Sequence, residues 1–200
     1  DANGKLMKAS ESDKTENNPT DSVWYKDGLT RLNMGFTDAY TNSDGEAVIS
    51  ASGILDDGSG VMKVISADLS LQRISIIVNS FVQMDSAQAF LVDSKDGTIL
   101  ADRDSSLIFT KLSDSGESFY KRIEEKRVSG DYDMEEIDNR MTACTEVTGT
   151  DWLLVSYVPI STVYTGINTV RTAMAVIGII SLFVLAIIIE RTVHIVIKPV

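Results

Sequence analysis

The side chains that most often carry catalysis are few and badly placed in this 200-residue chain. Its one histidine, His194, lies beyond a long apolar run near the C-terminus, and its one cysteine, Cys144, sits in a stretch of alternating apolar residues. No Ser-His-Asp or Cys-His arrangement can form ahead of that run, which leaves a nucleophile there without a histidine base. Carboxylates are abundant, 29 Asp and Glu against 18 Lys and Arg, so any pair picked for glycosidase-like acid-base work would be arbitrary. The acidic stretch from Asp131 to Asp138 alternates with apolar residues like a half-exposed strand and matches no calcium-loop spacing. No glycine-rich phosphate loop or CxxC pair is present. These patterns predict no enzyme, no cofactor and no metal site.

The apolar run explains where the remaining chemistry must lie. Between Arg171 and Glu190 stand 18 consecutive residues without a charge, near the lower limit for a helix rising about 1.5 Å per residue through about 30 Å of hydrocarbon. Such a segment, apolar on every face, reads as membrane-spanning rather than as a core helix. Arg191 and Lys198 follow it, so the positive-inside bias puts the C-terminal end in the cytoplasm and residues 1–165 outside. The outer part carries 28 of the acidic and 15 of the basic residues, a formal net of -13. That surface repels nucleic acid, and no nucleic-acid partner is expected. A lone cysteine permits no internal disulfide, so the outer part must be held by its core.

The elements that build this outer part follow from turn signals and periodicity. Residues 1–23 are polar and irregular, and nothing at Asp1 looks like a native beginning, so the chain reads as a fragment. Asp44-Gly45 and Asp96-Gly97 each separate short runs of strand character, as tight hairpin turns require. The cluster from Asp56 to Gly60 divides a strand at 47–54 from another at 61–67. Leu71, Ile74, Ile77, Val78 and Phe81 recur at helical spacing, with Asp68 or Ser70 placed to cap the helix. After residue 85 the plan repeats: a hairpin at 87–100, a helix at 117–127, strands at 132–137, 141–147 and 152–158. An α/β (α+β) fold of two tandem modules with antiparallel sheets is expected, at 1–84 and 85–159. A stalk helix at 160–171 then continues into a transmembrane helix at 172–189, without a flexible linker between sheet and membrane.

Taken in order, these residues resemble a double Cache (dCache) sensor domain, a pair of PAS-like modules. The membrane-distal half is carried by Trp24-Tyr25, the run from Asp38 to Ser50, and Gly60 to Leu71. The membrane-proximal half is carried by Ala89 to Ala101 and by Gly149 to Pro159. Ile197-Lys198-Pro199 resembles the opening of a HAMP linker, placed at 190–200. The resemblance covers the chain from about residue 20, its strength lying in the order of motifs rather than in any one of them.

That resemblance implies a small-molecule pocket in the distal module. In the amino-acid-binding branch of the family, an arginine two residues before the Trp-Tyr pair grips the ligand carboxylate together with the Trp. The Tyr of the pair and a later Tyr-x-Asp line the pocket, and an Asp near the helix start takes the ammonium. The corresponding positions here are Trp24, Tyr25, Tyr40, Asn42 and Asp68. Ser22 stands where the arginine would be and Asn42 where the first Asp would be. A serine hydroxyl cannot replace a bidentate guanidinium clamp, so amino acids become weaker candidates unless Arg31 or a residue upstream of Asp1 substitutes. A small amine held by Asp68 and the aromatic faces, or an uncharged metabolite, are the alternatives. Each residue also has a structural role open to it: Asp68 as helix cap, the aromatics and Trp152 as core, Asn42 as a turn residue.

The resemblance further implies a membrane receptor, most like a methyl-accepting chemotaxis protein, acting as a homodimer with a cytoplasmic signalling domain beyond residue 200. An input domain of a sensor histidine kinase or of a cyclic-dinucleotide enzyme, and a non-sensing surface module, are the competing readings.

Overall fold

Asn42 begins the first observed hairpin by accepting the amide hydrogens of Asp44 and Glu46 on its side-chain oxygen, each at 3.0 Å, and Gly45 completes the turn at φ 81°. The computed structural model describes residues 6–7, 18–80, 82 and 86–197, giving the backbone alone for 166–169 and 192–197. Phe81, the expected module boundary at 84 and the HAMP-like Lys198-Pro199 lie outside the described residues. The chain divides into two units, residues 1–158 and 159–200.

The first unit opens with a short helix, α1 (Val23–Gly28), followed by β1 (Gly35–Phe36), β2 (Tyr40–Thr41), β3 (Ala47–Leu55) and β4 (Lys63–Ser70). Strand β3 is the centre of this sheet, pairing antiparallel with β1, β2 and β4. The 56–60 cluster turns β3 into β4 with Gly58 and Gly60 both at φ 72°. β4 runs three residues beyond the expected strand, so Asp68 lies within the sheet opposite Ser50. It is therefore not at the helix start, and α2 (Leu71–Ser80) follows Ser70 without a break.

The second sheet is formed by β5 (Gln88–Asp93), β6 (Ile99–Ala101), β7 (Glu135–Ile137), β8 (Arg140–Val147) and β9 (Trp152–Pro159), in the order β6-β5-β9-β8-β7. Helix α3 (Ser118–Ser129) precedes β7 and ends at Gly130, whose left-handed φ of 70° suits a helix terminus. β7 is shorter than expected, and Asp138 and Asn139 at φ 49° and 61° turn it into β8.

Alternation along the strands assigns two cores. Phe90, Val92, Leu153 and Val155 point to one face of the second sheet, where Phe119, Tyr120 and Ile123 of α3 cover them with Cys144. Each such burial contributes about 1.5 to 3 kcal/mol. On the opposite face Leu91 meets Leu71 and Ile74 of α2 and Ile49 of β3, with Leu100 and Ala101. The chain thus has two antiparallel sheet modules sharing a core around α2. In the second unit, α4 (Ile160–Ile197) begins at the residue after β9. Its stretch from Ile160 to Arg191 is long and apolar enough to cross a membrane, and the 18-residue apolar window is wholly exposed.

Candidate functional site

Strand β3 gives the first sheet two unlike faces. Ala47, Ile49, Ala51 and Gly53 lie on the side of Ile49, which packs into the shared core. Val48, Ser50, Ser52 and Ile54 lie on the other side, with their cross-strand partners Ser70, Asp68, Ser66 and Val64. This second face is polar along its middle. The Ser52 and Ser66 hydroxyls have no hydrogen-bond partner among the described residues, although both are buried atoms.

Helix α1 lies on the same face. Gly28 makes this possible, because a Cβ there would come within 2.5 Å of Val64 Cγ1 and 3.3 Å of Ser52 Cβ. Trp24 and Tyr25 share the sheet-facing side of the helix with Gly28, four and three residues ahead of it. Tyr25 is buried, Trp24 is half-buried, and their rings meet edge-on at 5.7 Å. Ser22 at the start of α1 donates its hydroxyl to the Pro19 carbonyl at 2.5 Å.

Three side chains form a continuous hydrogen-bonded row on this face. Ser50 Oγ donates to Asp68 Oδ1 at 2.6 Å, and Tyr40 Oη lies 2.7 Å from the same Ser50 oxygen. Ser50 is fully buried, whereas Asp68 is exposed. Thr37 fixes the serine backbone: its N–H donates to the Ser50 carbonyl at 2.9 Å, and the Ser50 N–H donates to Thr37 Oγ1 at 3.0 Å. Among the described residues, no cation pairs with Asp68. The row can therefore offer a carboxylate oxygen of Asp68 to a donor arriving from solvent.

The structure thus brings Tyr40 and Asp68 together through Ser50, a residue that sequence reasoning did not single out. The available signal was the pattern of Ser50 and Ser52 at alternate positions of an otherwise apolar strand. Asn42 stands apart in the turn, its side-chain oxygen used by two amides. Arg31, considered as a substitute carboxylate clamp, is committed elsewhere, to Asp27 Oδ2 at 2.8 Å and the Phe36 carbonyl at 2.7 Å. Trp152 is a packing residue, its ring 4.8 Å from that of Phe36.

The loop between β1 and β2 also touches the second sheet. Lys95 reaches Asp38 Oδ1 at 3.3 Å and Asp151 Oδ2 at 2.9 Å, and the Asp151 contact leads in raising the Lys95 pKa. Beside them burial pushes the Asp93 carboxyl upward. A separate cleft of about 890 Å³, lined mainly by apolar residues such as Ile77, Val78, Leu91 and Leu154, lies between α2 and the second sheet. Among the described residues it offers no charged side chain to a ligand. Among the described residues no group of three His, Cys, Asp or Glu is arranged to hold a metal.

No protein-family model matches the chain. Over 96 residues, 48% of the chain, it is 32% identical to the methyl-accepting chemotaxis protein McpG of Pseudomonas putida KT2440, and the match spans 15% of that relative. Among solved structures it is similar to the ligand-binding domain of the Pseudomonas fluorescens chemoreceptor CtaA in complex with L-serine. That likeness has a TM-score of 0.63 at 23% identity, covering 80% of this chain and 70% of the other. The ligand-binding domain of the Pseudomonas aeruginosa PAO1 amino acid chemoreceptor PctB, in complex with L-Gln, gives 0.61 at 22% identity, covering 86% and 73%. At such identities the likeness is one of fold.

Proposed function

We propose that this chain, which has the dCache fold of chemoreceptor ligand-binding domains and a membrane-spanning helix at its C-terminal end, is the extracytoplasmic sensing part of a transmembrane chemoreceptor. It is a binding module, not a catalyst. Its ligand is a small metabolite with a protonated amine, held at the face formed by Trp24, Tyr25, Tyr40 and Asp68. The observation that carries this reading is the Asp68 carboxylate, exposed beside a buried serine and a tyrosine and pairing with no cation among the described residues.

The similar receptors hold amino acids, and the chemistry of this chain departs from that. Ser22 stands at the family's arginine position with its hydroxyl bound to backbone, and Arg31 is held by Asp27 and Phe36. The ammonium half of an amino-acid site is thus present and the carboxylate half is weakened. An amine loses less by this change than an amino acid does, because a charged hydrogen bond contributes about 1.5 to 3 kcal/mol. The Asn42 oxygen serves the turn, which leaves its amide nitrogen as the group it can present to a ligand.

Signalling requires the ligand to favour one arrangement of the modules over another, by a coupling of about 1 to 3 kcal/mol. We assign the receiving end to a homodimer of such chains and a cytoplasmic signalling domain after residue 200, with the distal module at 1–84 and the proximal one at 85–159. Thermal-shift screening of the chain against amines, amino acids, organic acids and purines tests the ligand class. Amines should raise the midpoint in the wild type and not in Asp68→Ala. Stabilisation by organic acids alone would refute the reading.

A further inference from the structure

We infer that the Ser52 and Ser66 hydroxyls form a second contact of the site, so that the ligand is an amine carrying an uncharged hydrogen-bonding group, a hydroxyl or an amide, at the far end of a short chain. The inference rests on the reading of the Asp68 face as an amine site and names the other half of the ligand.

The two serines lie opposite each other, Ser52 on β3 and Ser66 on β4. Alternation puts them on the face of Ser50 and Asp68, and one side-chain repeat separates the two pairs, about 6 to 7 Å along the strands. Ser52 is fully buried, and among the described residues neither hydroxyl oxygen has a hydrogen-bond partner, although both oxygens are buried. Buried hydroxyls left unpaired cost stability, and folded proteins keep few of them. Packing does not account for the pair. Gly28 of α1 comes so near that a Cβ on it would stand 3.3 Å from Ser52 Cβ, and that seat requires a small side chain. Alanine would meet the need at Ser52 without burying a hydroxyl, and Ser66 opposite repeats the choice of serine.

A ligand group placed here gives both hydroxyls the partner they lack, since each can donate and accept. The group is uncharged, because two hydroxyls solvate a charge poorly and a second ammonium or a carboxylate would lose more hydration than it regained. Asp68 holds the ammonium at one end, and the strand register sets the distance to the other. Helix α1 covers the serines, so the uncharged end enters by displacing α1 from its seat on the sheet. That helix has only six residues, and its position depends on packing rather than on its own stability. An alkylamine without the second group would leave the hydroxyls unpaired and α1 in place.

The test is titration calorimetry on the full chain in nanodiscs. The probes are 4-amino-1-butanol and 5-amino-1-pentanol, whose chains bracket the spacing, against n-butylamine, n-pentylamine, putrescine and 5-aminopentanoate. At least one amino alcohol should bind about fivefold more tightly than its alkylamine, the worth of a net hydrogen bond, and more tightly than putrescine or 5-aminopentanoate. Ser52→Ala and Ser66→Ala should each bring that ratio toward one, with alkylamine affinity unchanged and the thermal midpoint no lower, a combination that damage to the fold would not give. Amino alcohols that bind no better than alkylamines, an advantage retained in both serine variants, or lowered midpoints in both, would overturn the inference, and the amine site would stand so long as Asp68→Ala still abolished alkylamine binding. Failure of every amine to bind, or binding undiminished by Asp68→Ala, would overturn the site and the inference together.

Discussion

The ring of Phe36, at the end of β1, lies 4.8 Å from the ring of Trp152, the first residue of β9, at a tilt of 41°. One belongs to the first sheet and the other to the second. Tyr40 follows Phe36 by four residues, and β9 ends at Pro159, immediately before the membrane-spanning helix. This aromatic contact and the Lys95 bridge to Asp38 and Asp151 tie the loop ahead of the candidate site to the last strand of the second sheet and the turn before it.

Phe36 and Trp152 should therefore behave as a coupled pair. Either alanine substitution should destabilise the chain by about 2 to 4 kcal/mol, and a double-mutant cycle should return a coupling of about 0.5 to 1.5 kcal/mol. Denaturant unfolding in detergent measures both quantities. Strict additivity would show that the rings merely lie close. Lys95→Ala, by contrast, should change stability by less than about 1 kcal/mol, since its partners are solvated.

Asn42 separates turn from pocket. Its oxygen holds two amides of the 42–46 turn, so Asn42→Ala should cost about 1 to 2 kcal/mol of stability while leaving amine affinity within about twofold. A large loss of affinity in a variant of normal stability would place Asn42 in the pocket instead.

Asp102 gives a pH dependence of known sign. It is buried at the end of β6, where its Oδ2 accepts the Tyr120 hydroxyl at 3.2 Å and its own N–H donates to Ser75 Oγ at 3.2 Å. Burial pushes its pKa above the ordinary value of 3.8. The folded state thus holds this proton more tightly than the unfolded state. The resulting stabilisation is complete below the unfolded pKa and is lost as pH rises through the folded one. Asp102→Asn should remove that component, so the stability difference between wild type and variant should change between pH 7 and pH 4. Parallel stability curves over that range would contradict the assignment.

Lys126 is buried at 2% side-chain exposure and pairs with Glu135 at 3.1 Å. Arg122 first, then Lys126, hold the Glu135 carboxyl below the usual range, so its contribution is present at neutral pH and lost as pH falls through the depressed value. Glu135→Ala leaves a buried ammonium without its nearest partner and should destabilise more than Lys126→Met, which removes the charge and keeps the packing. Thermal unfolding at pH 7 ranks the two, and the reverse order would show that the ammonium is adequately solvated.

Much of the fold was legible because its signals are local. Asp44-Gly45 and Asp96-Gly97 named two turns, the 47–54 alternation named β3, and the uncharged 172–189 run named the apolar part of α4. Boundaries slipped where no local signal marks them. β4 passes into α2 with no turn residue, which made Asp68 read as a possible cap when it is a strand residue facing Ser50. The candidate site was legible only in part, since Tyr40 and Asp68 meet through register rather than sequence proximity. Ser50 is small and polar in a strand, and only its pairing opposite Asp68 and its approach to Tyr40 give it a role. The commitments of Arg31 to Asp27 and Phe36 were likewise invisible before the loop geometry was known.

The most direct measurement is the titration of putrescine and n-butylamine into the full chain and into its Asp68→Ala variant, at one pH and one ionic strength. Loss of one charged hydrogen bond and ion contact should weaken amine binding about 10- to 100-fold in the variant without changing its thermal midpoint by more than a few degrees. Equal affinity in the two proteins would contradict the assignment of this face as an amine sensor.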